Sequence, residues 1–233
     1  MAQHDASYKL LFSHREMVAD LLRGFLPSEW VTVLNFDSLE RLPTGFVSDK
    51  LDQRYSDLIW RIQWGSDWLY VLILLEFQST ENPYMPVRIG AYVHLLYQDL
   101  IRTGYVVSGQ KLPSVLPIVL YNGQKRWTSA TDLAELLDPI PAGLESYQPQ
   151  SRYLLIDEGS YSDETLSTLE RNLVAALFRL EKDWPPEALL ETLGALLQWL
   201  NDPKQESLQR AFSEWLKRVW SQPRLTKLSE AEW

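Results

Sequence analysis

The pattern of apolar and polar residues marks two neighbouring β-strands in the first third of the chain. Tyr55 to Trp64 alternates between an apolar face and a face that carries Asp57, and Trp68 to Gln78 is apolar enough for a central strand. The residues Gly65-Ser66-Asp67 between them are typical of a tight turn, and Gly65-Ser66 suits a two-residue loop of type II′. The pattern therefore predicts an antiparallel hairpin.

The predicted hairpin brings two carboxylates toward each other. A loop centred after Ser66 makes Asp57 and Glu76 direct partners, with Cβ atoms about 4.5–5.5 Å apart. A loop made of Gly65 and Ser66 makes them diagonal neighbours at about 7–8 Å, still on one face. A regular three-residue loop would instead place them on opposite faces. Gln78 follows Glu76 by two residues and therefore shares its face.

Two carboxylates so close together favour a bound cation, because without one their mutual repulsion makes it unfavourable for both to be ionised. The chain has no Cys and only three His residues, and hard oxygen ligands select Mg²⁺ or Mn²⁺ over Zn²⁺. A structural pair at the sheet edge is the alternative, in which one carboxylate forms a salt bridge with Arg54, Arg61 or Arg88. Spacing alone leaves both interpretations open.

Helical spacing and apolar runs predict the other elements. Asp5 can cap a first helix that Pro27 ends, and Pro117 suggests an edge or a bulge in a later strand. The remaining elements are a short strand within 28–53, a helix over about 86–100, strands over 115–120 and 152–156, and helices over 163–181, 187–200 and 205–220. This order favours an α/β mixed sheet flanked by helices, with a helical C-terminal region.

Composition limits the compartment and the partners. The 233 residues are 45% hydrophobic and 23% charged, as in a globular domain of ordinary size. The absence of Cys suits a reducing cytoplasm, the first residues lack a signal-like apolar region, and Leu69 to Leu75 is too short to span a bilayer. We therefore expect a cytoplasmic protein with no membrane segment.

The net charge of −9 argues against a protein that coats nucleic acid. The acidity is uneven: residues 1–130 hold 12 Lys and Arg against 13 Asp and Glu, and residues 131–233 hold 10 against 18. The candidate site lies in the near-neutral part. Phosphate contacts there would come from few cations, and we expect Lys50, Arg54 and Arg88, although these residues equally suit solvated faces.

Several short motifs lie in a fixed order between residues 4 and 127. They are His4-Asp5 with Tyr8-Lys9, Ser56-Asp57, Leu75-Glu76-Phe77-Gln78-Ser79, Met85-Pro86 with Arg88 and Tyr92, and Leu116-Pro117-Ile118-Val119-Leu120-Tyr121-Asn122-Gly123 ending near Trp127. This ordered set resembles the Rpn/YhgA-like recombination-promoting nucleases and transposases of the PD-(D/E)XK nuclease superfamily. The resemblance implies a restriction-endonuclease-like fold, and we assign this domain to residues 1–158. The helical pattern beyond it predicts a separate helical C-terminal region over residues 159–233.

The resemblance also implies roles for individual residues. Asp57 and Glu76 would be the metal-binding carboxylates, with the backbone carbonyl of Phe77 as a further ligand. Gln78 stands where many superfamily members have Lys, and a neutral amide can hydrogen-bond but cannot offset phosphate charge. Secondary catalytic candidates are Asp5, which equally suits the helix-cap role, Lys9, Arg88 and Tyr92.

Two functions from different classes follow from these expectations. The first is a DNA endonuclease that uses Mg²⁺ or Mn²⁺ and acts in recombination, mobile-element activity or defence. The second is a catalytically degenerate nuclease fold that acts as an interaction module and forms homo-oligomers through its C-terminal helices. An apolar stripe including Trp199, Trp215 and Trp220 would suit the second function, although such a stripe is usually core.

Overall fold

A computed structural model of the protein describes residues 2–42, 58–76, 81–123, 125–182 and 185–220, and for Glu76 it describes the backbone alone. The described residues group into two compact units. The sheet unit lies within Val33–Ser160, and the helical unit lies within Met1–Thr32 and Tyr161–Trp233. The predicted domain division after residue 158, which joined the first helices to the sheet, stays a prediction.

Within its described residues, the sheet unit contains five strands, which lie side by side in the order of the chain. They are β1 (Leu34–Arg41), β2 (Leu58–Trp64), β3 (Asp67–Glu76), β4 (Ser114–Tyr121) and β5 (Leu154–Asp157). The pairs β1–β2 and β2–β3 are antiparallel, whereas β3–β4 and β4–β5 are parallel. This mixed sheet confirms the predicted fold class, an α/β architecture of the restriction-endonuclease-like type.

The hairpin of β2 and β3 has the predicted loop that consists of Gly65 and Ser66. Trp64 pairs with Asp67, so Gly65 and Ser66 alone form the loop, and the ladder runs as far as Leu58 opposite Ile73. Gly65 has a φ of +61°, as expected for the first central residue of a type II′ turn, where glycine adopts positive φ without steric cost. The predicted antiparallel hairpin is confirmed in this register.

A single long helix, α4 (Met85–Arg102), connects β3 to the parallel strand β4. Its buried side packs in one core cluster with residues of the sheet, including Leu72, Leu74 and Val119. Pro86 lies in its first turn, and Gly104, with a φ of +78°, follows its end, in agreement with the predicted helix over about 86–100. Pro117 pairs only with β3, because the β5 ladder begins one residue later at Ile118.

The helical unit contains seven α-helices in the part of the chain that the structure describes. They are α1 (Ala2–Leu11), α2 (Arg15–Phe25), α3 (Ser28–Val31), α5 (Asp163–Ser167), α6 (Leu173–Glu181), α7 (Pro186–Trp199) and α8 (Glu206–Trp220). The sequence predicted one helix from Asp5 to Phe25. This was wrong, because the helix is interrupted between Leu11 and Arg15. Since α1 begins at Ala2, Asp5 lies inside that helix and not at its cap.

The predicted helix over residues 163–181 is also two helices. Arg171 has a φ of +52°, and the side chain of Asn172 then caps α6 by accepting hydrogen bonds from the backbone N–H groups of Val174 and Ala175. The Asn172 amide also donates a 2.8 Å bond to the backbone carbonyl of Asp20 in α2. Long-range capping therefore decides where this helix starts.

Trp215 is buried and its indole N–H donates to the Glu181 carboxylate at 3.0 Å, so this residue of the predicted stripe belongs to the core. Trp199 is partly buried, and the side chain of Trp220 lies outside the description. Across the described ranges, none of the helices is both long enough and apolar enough to cross a bilayer.

Candidate functional site at the carboxyl ends of the parallel strands

The three parallel strands end level with one another at one edge of the sheet. Glu76 at the end of β3 pairs in register with Tyr121 at the end of β4, and Tyr121 pairs with Asp157 at the end of β5. In open α/β sheets, ligands bind outside the carboxyl ends of the strands. This edge is therefore where the fold favours a functional site, and it carries the predicted residue Glu76.

The residues predicted to bind metal and DNA fall mostly outside the described part. Asp57, Gln78, Lys50 and Arg54 are not described, so their convergence with Glu76 stays a prediction. Leu58, the residue directly after Asp57, pairs with Ile73, three residues before Glu76. Asp57 therefore directly precedes the first residue of β2, and Glu76 lies three residues beyond the last residue of β3 that pairs with β2.

Arg88 and Tyr92 form a pair on α4. The Arg88 Nε donates a 3.1 Å hydrogen bond to the Tyr92 hydroxyl, and its guanidinium carbon lies 5.6 Å from the centre of the Tyr92 ring. Tyr92 is buried in the cluster between α4 and the sheet. Tyr92 thus anchors Arg88, whose predicted contact with phosphate stays a prediction.

The other secondary candidates belong to the helical unit. The backbone of Asp5 lies within α1, and its side chain is outside the description. Lys9 is in the last turn of α1 and is partly buried. Their predicted catalytic roles stay predictions.

Glu81 ties the chain just beyond the predicted catalytic segment to the loop after β4. Its carboxylate accepts hydrogen bonds from the backbone N–H groups of Thr128 at 2.8 Å and Ser129 at 2.7 Å, and from both hydroxyl groups. Burial alone raises the pKa of Glu81, but the bonds from Ser129 and Thr128 outweigh it and hold the pKa below its usual value. The carboxylate is thus charged and fully engaged as an anchor.

Asp157 is a second acidic residue at this edge, and it is buried. Its Oδ2 accepts a 3.2 Å hydrogen bond from the backbone N–H of Trp127 and lies 3.8 Å from Nη1 of Arg126. Its Oδ1 is also buried and has no hydrogen-bond partner among the described residues. Asp157 therefore holds the loop after β4 against the end of β5.

A metal ion fits the donor chemistry of the predicted site. The two predicted ligands are carboxylates followed by an amide, all hard oxygen donors, in a chain without thiolates. Among the described side chains no group of three or more His, Asp or Glu residues could hold a metal ion. The predicted ligands are not among those side chains, so Mg²⁺ or Mn²⁺ stays a prediction.

The sequence alone does not identify Glu81 or Asp157 as site residues. Their signal is positional, because each follows or ends a predicted strand. It could be read only once the strands were known to be parallel and to end level with each other. Glu81 and Ser129 are 48 residues apart, and Trp127 and Asp157 are 30 apart. A single sequence does not state such distant pairings.

The fold and the site edge define an α/β protein whose mixed sheet carries acidic residues at the carboxyl ends of its parallel strands. The sequence profile of the family described as "Putative transposase, YhgA-like" matches residues 2–210. The chain belongs to this family. No solved structure matches the chain.

Curated relatives of the chain include proteins named recombination-promoting nucleases and one named an inactive nuclease-like protein. The chain is 29% identical over 120 residues to "Recombination-promoting nuclease RpnA" of Escherichia coli K12, covering 52% of this chain and 40% of the relative. It is 29% identical over 142 residues to "Recombination-promoting nuclease RpnD" of Escherichia coli O157:H7, covering 60% and 53%. It is 28% identical over 121 residues to the "Inactive recombination-promoting nuclease-like protein RpnE" of Escherichia coli K12, covering 52% and 39%. The matches thus span about half or less of these relatives.

Proposed function

We propose that the protein is a divalent-metal-dependent DNA endonuclease that hydrolyses phosphodiester bonds in the cytoplasm, with a role in recombination or mobile-element activity. The observation that carries the proposal is the register of the sheet. Glu76, in the segment Leu75-Glu76-Phe77-Gln78-Ser79, ends its strand level with two further parallel strands, where α/β folds bind ligands. Relatives with this family's sequence are named recombination-promoting nucleases.

The proposal assigns roles to the chain's own residues. Asp57 and Glu76 hold Mg²⁺ or Mn²⁺, with the Phe77 carbonyl as a further ligand. A bound divalent ion polarises the phosphate and lowers the pKa of a water molecule. The Gln78 amide hydrogen-bonds at the reacting group without adding charge. Lys50, Arg54 and Arg88 contribute contacts to the DNA backbone, which fix its position without reading sequence.

Plasmid nicking tests the activity directly. The purified full chain is incubated with supercoiled plasmid and Mg²⁺, Mn²⁺ or Ca²⁺, beside Asp57→Ala and Glu76→Gln. We expect nicking with Mg²⁺ or Mn²⁺ and its loss in both variants. Glu145→Gln is the matched control, because Glu145 makes a local bond to the Gly143 backbone N–H in an exposed loop. Equal nicking by Asp57→Ala and the unchanged protein would contradict the proposal.

A second candidate function is a non-catalytic interaction module. Two relatives are named inactive nuclease-like proteins, and α7 exposes Leu190 and Leu197, seven residues apart and 59% and 61% exposed. Residues seven apart lie on one helical face. Under this alternative the chain self-associates through α7. Light scattering would show a dimer that Leu190→Glu dissociates, while all variants, including the unchanged protein, would lack nicking.

A further inference from the structure

The loop after β4 carries two exposed cations beside the candidate site. Lys125 and Arg126 are both exposed, and they follow Tyr121, the residue that pairs with Glu76 in the sheet, by four and five residues. The Arg126 side chain is 58% exposed. Positive charge thus lies on the loop that begins at the carboxyl end of the neighbouring strand.

This loop is held in place by its next residue. The Trp127 ring is buried and packs edge-on against Tyr121 at 4.9 Å and Tyr153 at 6.4 Å between ring centres. Its backbone N–H donates to Asp157, and its indole N–H donates to the Ser129 carbonyl at 3.0 Å. A cation on such a loop needs less ordering when a ligand binds.

Arg126 also has a built counter-charge behind it. The Asp157 side chain is 9% exposed and lies 3.8 Å from Arg126 Nη1, with one buried oxygen that has no hydrogen-bond partner among the described residues. A Cβ at Gly159 would lie 3.3 Å from Asp157 Oδ1 and 3.5 Å from Arg126 Nη1, so the pair occupies space that glycine leaves open. A half-exposed guanidinium against a buried carboxylate keeps donors free for an outside anion.

We propose that Lys125 and Arg126 form a phosphate-contact site for duplex DNA, with Asp157 as the positioning residue for Arg126. The inference rests on the proposed function in that DNA is the ligand. Arg presents a planar fork that suits phosphate oxygens, and Lys adds a point charge beside it. The contact holds the DNA backbone near the end of β3 and carries no sequence readout.

Binding to DNA tests the two cations. Fluorescence anisotropy follows a labelled duplex titrated with the full chain in EDTA, which prevents metal-dependent cleavage. Arg126→Ala and Lys125→Ala should each weaken binding roughly 3- to 10-fold and reduce the slope of log K against log salt by about 1.

Arg152→Ala is the matched control for Arg126. Arg152 forms a salt bridge with Asp132 at 2.8 Å, and its side chain is 77% exposed. It precedes the first residue of β5, at the end of that strand away from Asp157. It should bind within about twofold of the unchanged protein, and equal affinities for Arg126→Ala and Arg152→Ala would overturn the inference.

The role of Asp157 has its own readout. If Asp157 merely repelled DNA, Asp157→Asn would tighten binding, because it removes a negative charge. If Asp157 positions Arg126, Asp157→Asn should instead weaken binding, and this effect should vanish in the Arg126→Ala background of a double-mutant cycle. Tighter binding, or an equal effect in both backgrounds, contradicts positioning. Arg126→Lys, which keeps the charge and loses the fork, should bind between Arg126→Ala and the unchanged protein even if Asp157→Asn misfolds.

The inference and the proposed function fail in distinguishable ways. Nicking that Asp57→Ala abolishes, together with DNA binding unaffected by Arg126→Ala, would overturn only the phosphate-contact site. Binding that depends on Arg126 in a protein without metal-dependent nicking would support the contact site and overturn the endonuclease. Absence of measurable DNA binding by the unchanged protein would overturn the contact site.

Discussion

The carboxylate of Glu81 accepts hydrogen bonds from both the backbone N–H and the hydroxyl of Ser129, each at 2.7 Å. A third bond comes from the Thr128 backbone N–H at 2.8 Å. Glu81 lies five residues after Glu76, so this contact joins the chain following β3 to the loop following β4. The two loops at the candidate site therefore share one anchor.

Glu81→Gln should lower the free energy of unfolding by about 1–2 kcal/mol. The neutral side chain loses the charge-assisted hydrogen bonds, and its NH₂ group would face N–H and O–H donors of Thr128 and Ser129. The pKa of Glu81 is lowered from 4.5, so this stability is present above that pH and is lost as the pH falls through the lower folded value. Melting temperatures measured against pH should differ by a constant amount well above pH 4.5 and should converge as the pH falls through the lowered pKa of the folded state. Glu145→Gln, with its single local bond, should change little.

Asp20 should show the opposite pH dependence. Burial raises the pKa of Asp20 from 3.8, more than the Leu173 backbone bond and Arg23 lower it. The folded state is therefore favoured below pH 3.8, and this contribution is lost as the pH rises through the raised folded value.

Asp20→Asn keeps an acceptor for the Leu173 N–H and should stabilise the protein at pH 7 by up to about 1 kcal/mol. The gain in melting temperature of Asp20→Asn over the unchanged protein should grow as the pH rises above 3.8 and through the raised folded pKa of Asp20. Asp163→Asn is the control, because the Asp163 side chain is 36% exposed against 15% for Asp20. A lower melting temperature for Asp20→Asn at pH 7 would show that the Arg23 pair dominates.

The same glycine substitution should have opposite signs at two positions. Gly65→Ala should destabilise by about 1–2 kcal/mol, because its φ of +61° strains a residue with a Cβ although nothing lies within 4 Å of it. Gly194→Ala should stabilise by about 0.5–1 kcal/mol, because Gly194 lies inside α7 with open space around it. Urea denaturation gives both values, and a neutral Gly65→Ala would argue against the assigned turn.

Metal removal and Gln78 variants should separate binding of the ion from the later chemistry. EDTA should abolish nicking, and added Mg²⁺ or Mn²⁺ should restore it. Gln78→Ala should lower the nicking rate roughly 10- to 100-fold, as for loss of one polar group at a reacting centre, while the Mg²⁺ concentration for half-maximal rate stays within about threefold. Gln78→Lys should remain active. A large rise in the required Mg²⁺ concentration in Gln78→Ala would instead make Gln78 a metal ligand.

The sequence by itself predicted the elements that short-range rules control. The hairpin followed from alternation before Gly65 and Ser66 and from an apolar run after them, and α4 followed from helical spacing after Pro86. These signals are local, because turn geometry and side-chain periodicity depend on neighbouring residues. The ordered set of motifs between residues 4 and 127 also sufficed for the family, which the profile match over residues 2–210 confirms.

The tertiary structure decided what depends on distant pairings. The register of β3, β4 and β5 placed Glu76, Tyr121 and Asp157 level at one edge. The cap from Asn172 divided a predicted helix because its side chain binds α2 across the unit. Glu81 accepts hydrogen bonds from Thr128 and Ser129, which lie 47 and 48 residues further along the chain. Such contacts form because packing brings remote segments together and leaves buried polar groups to satisfy, which no local pattern in one sequence specifies.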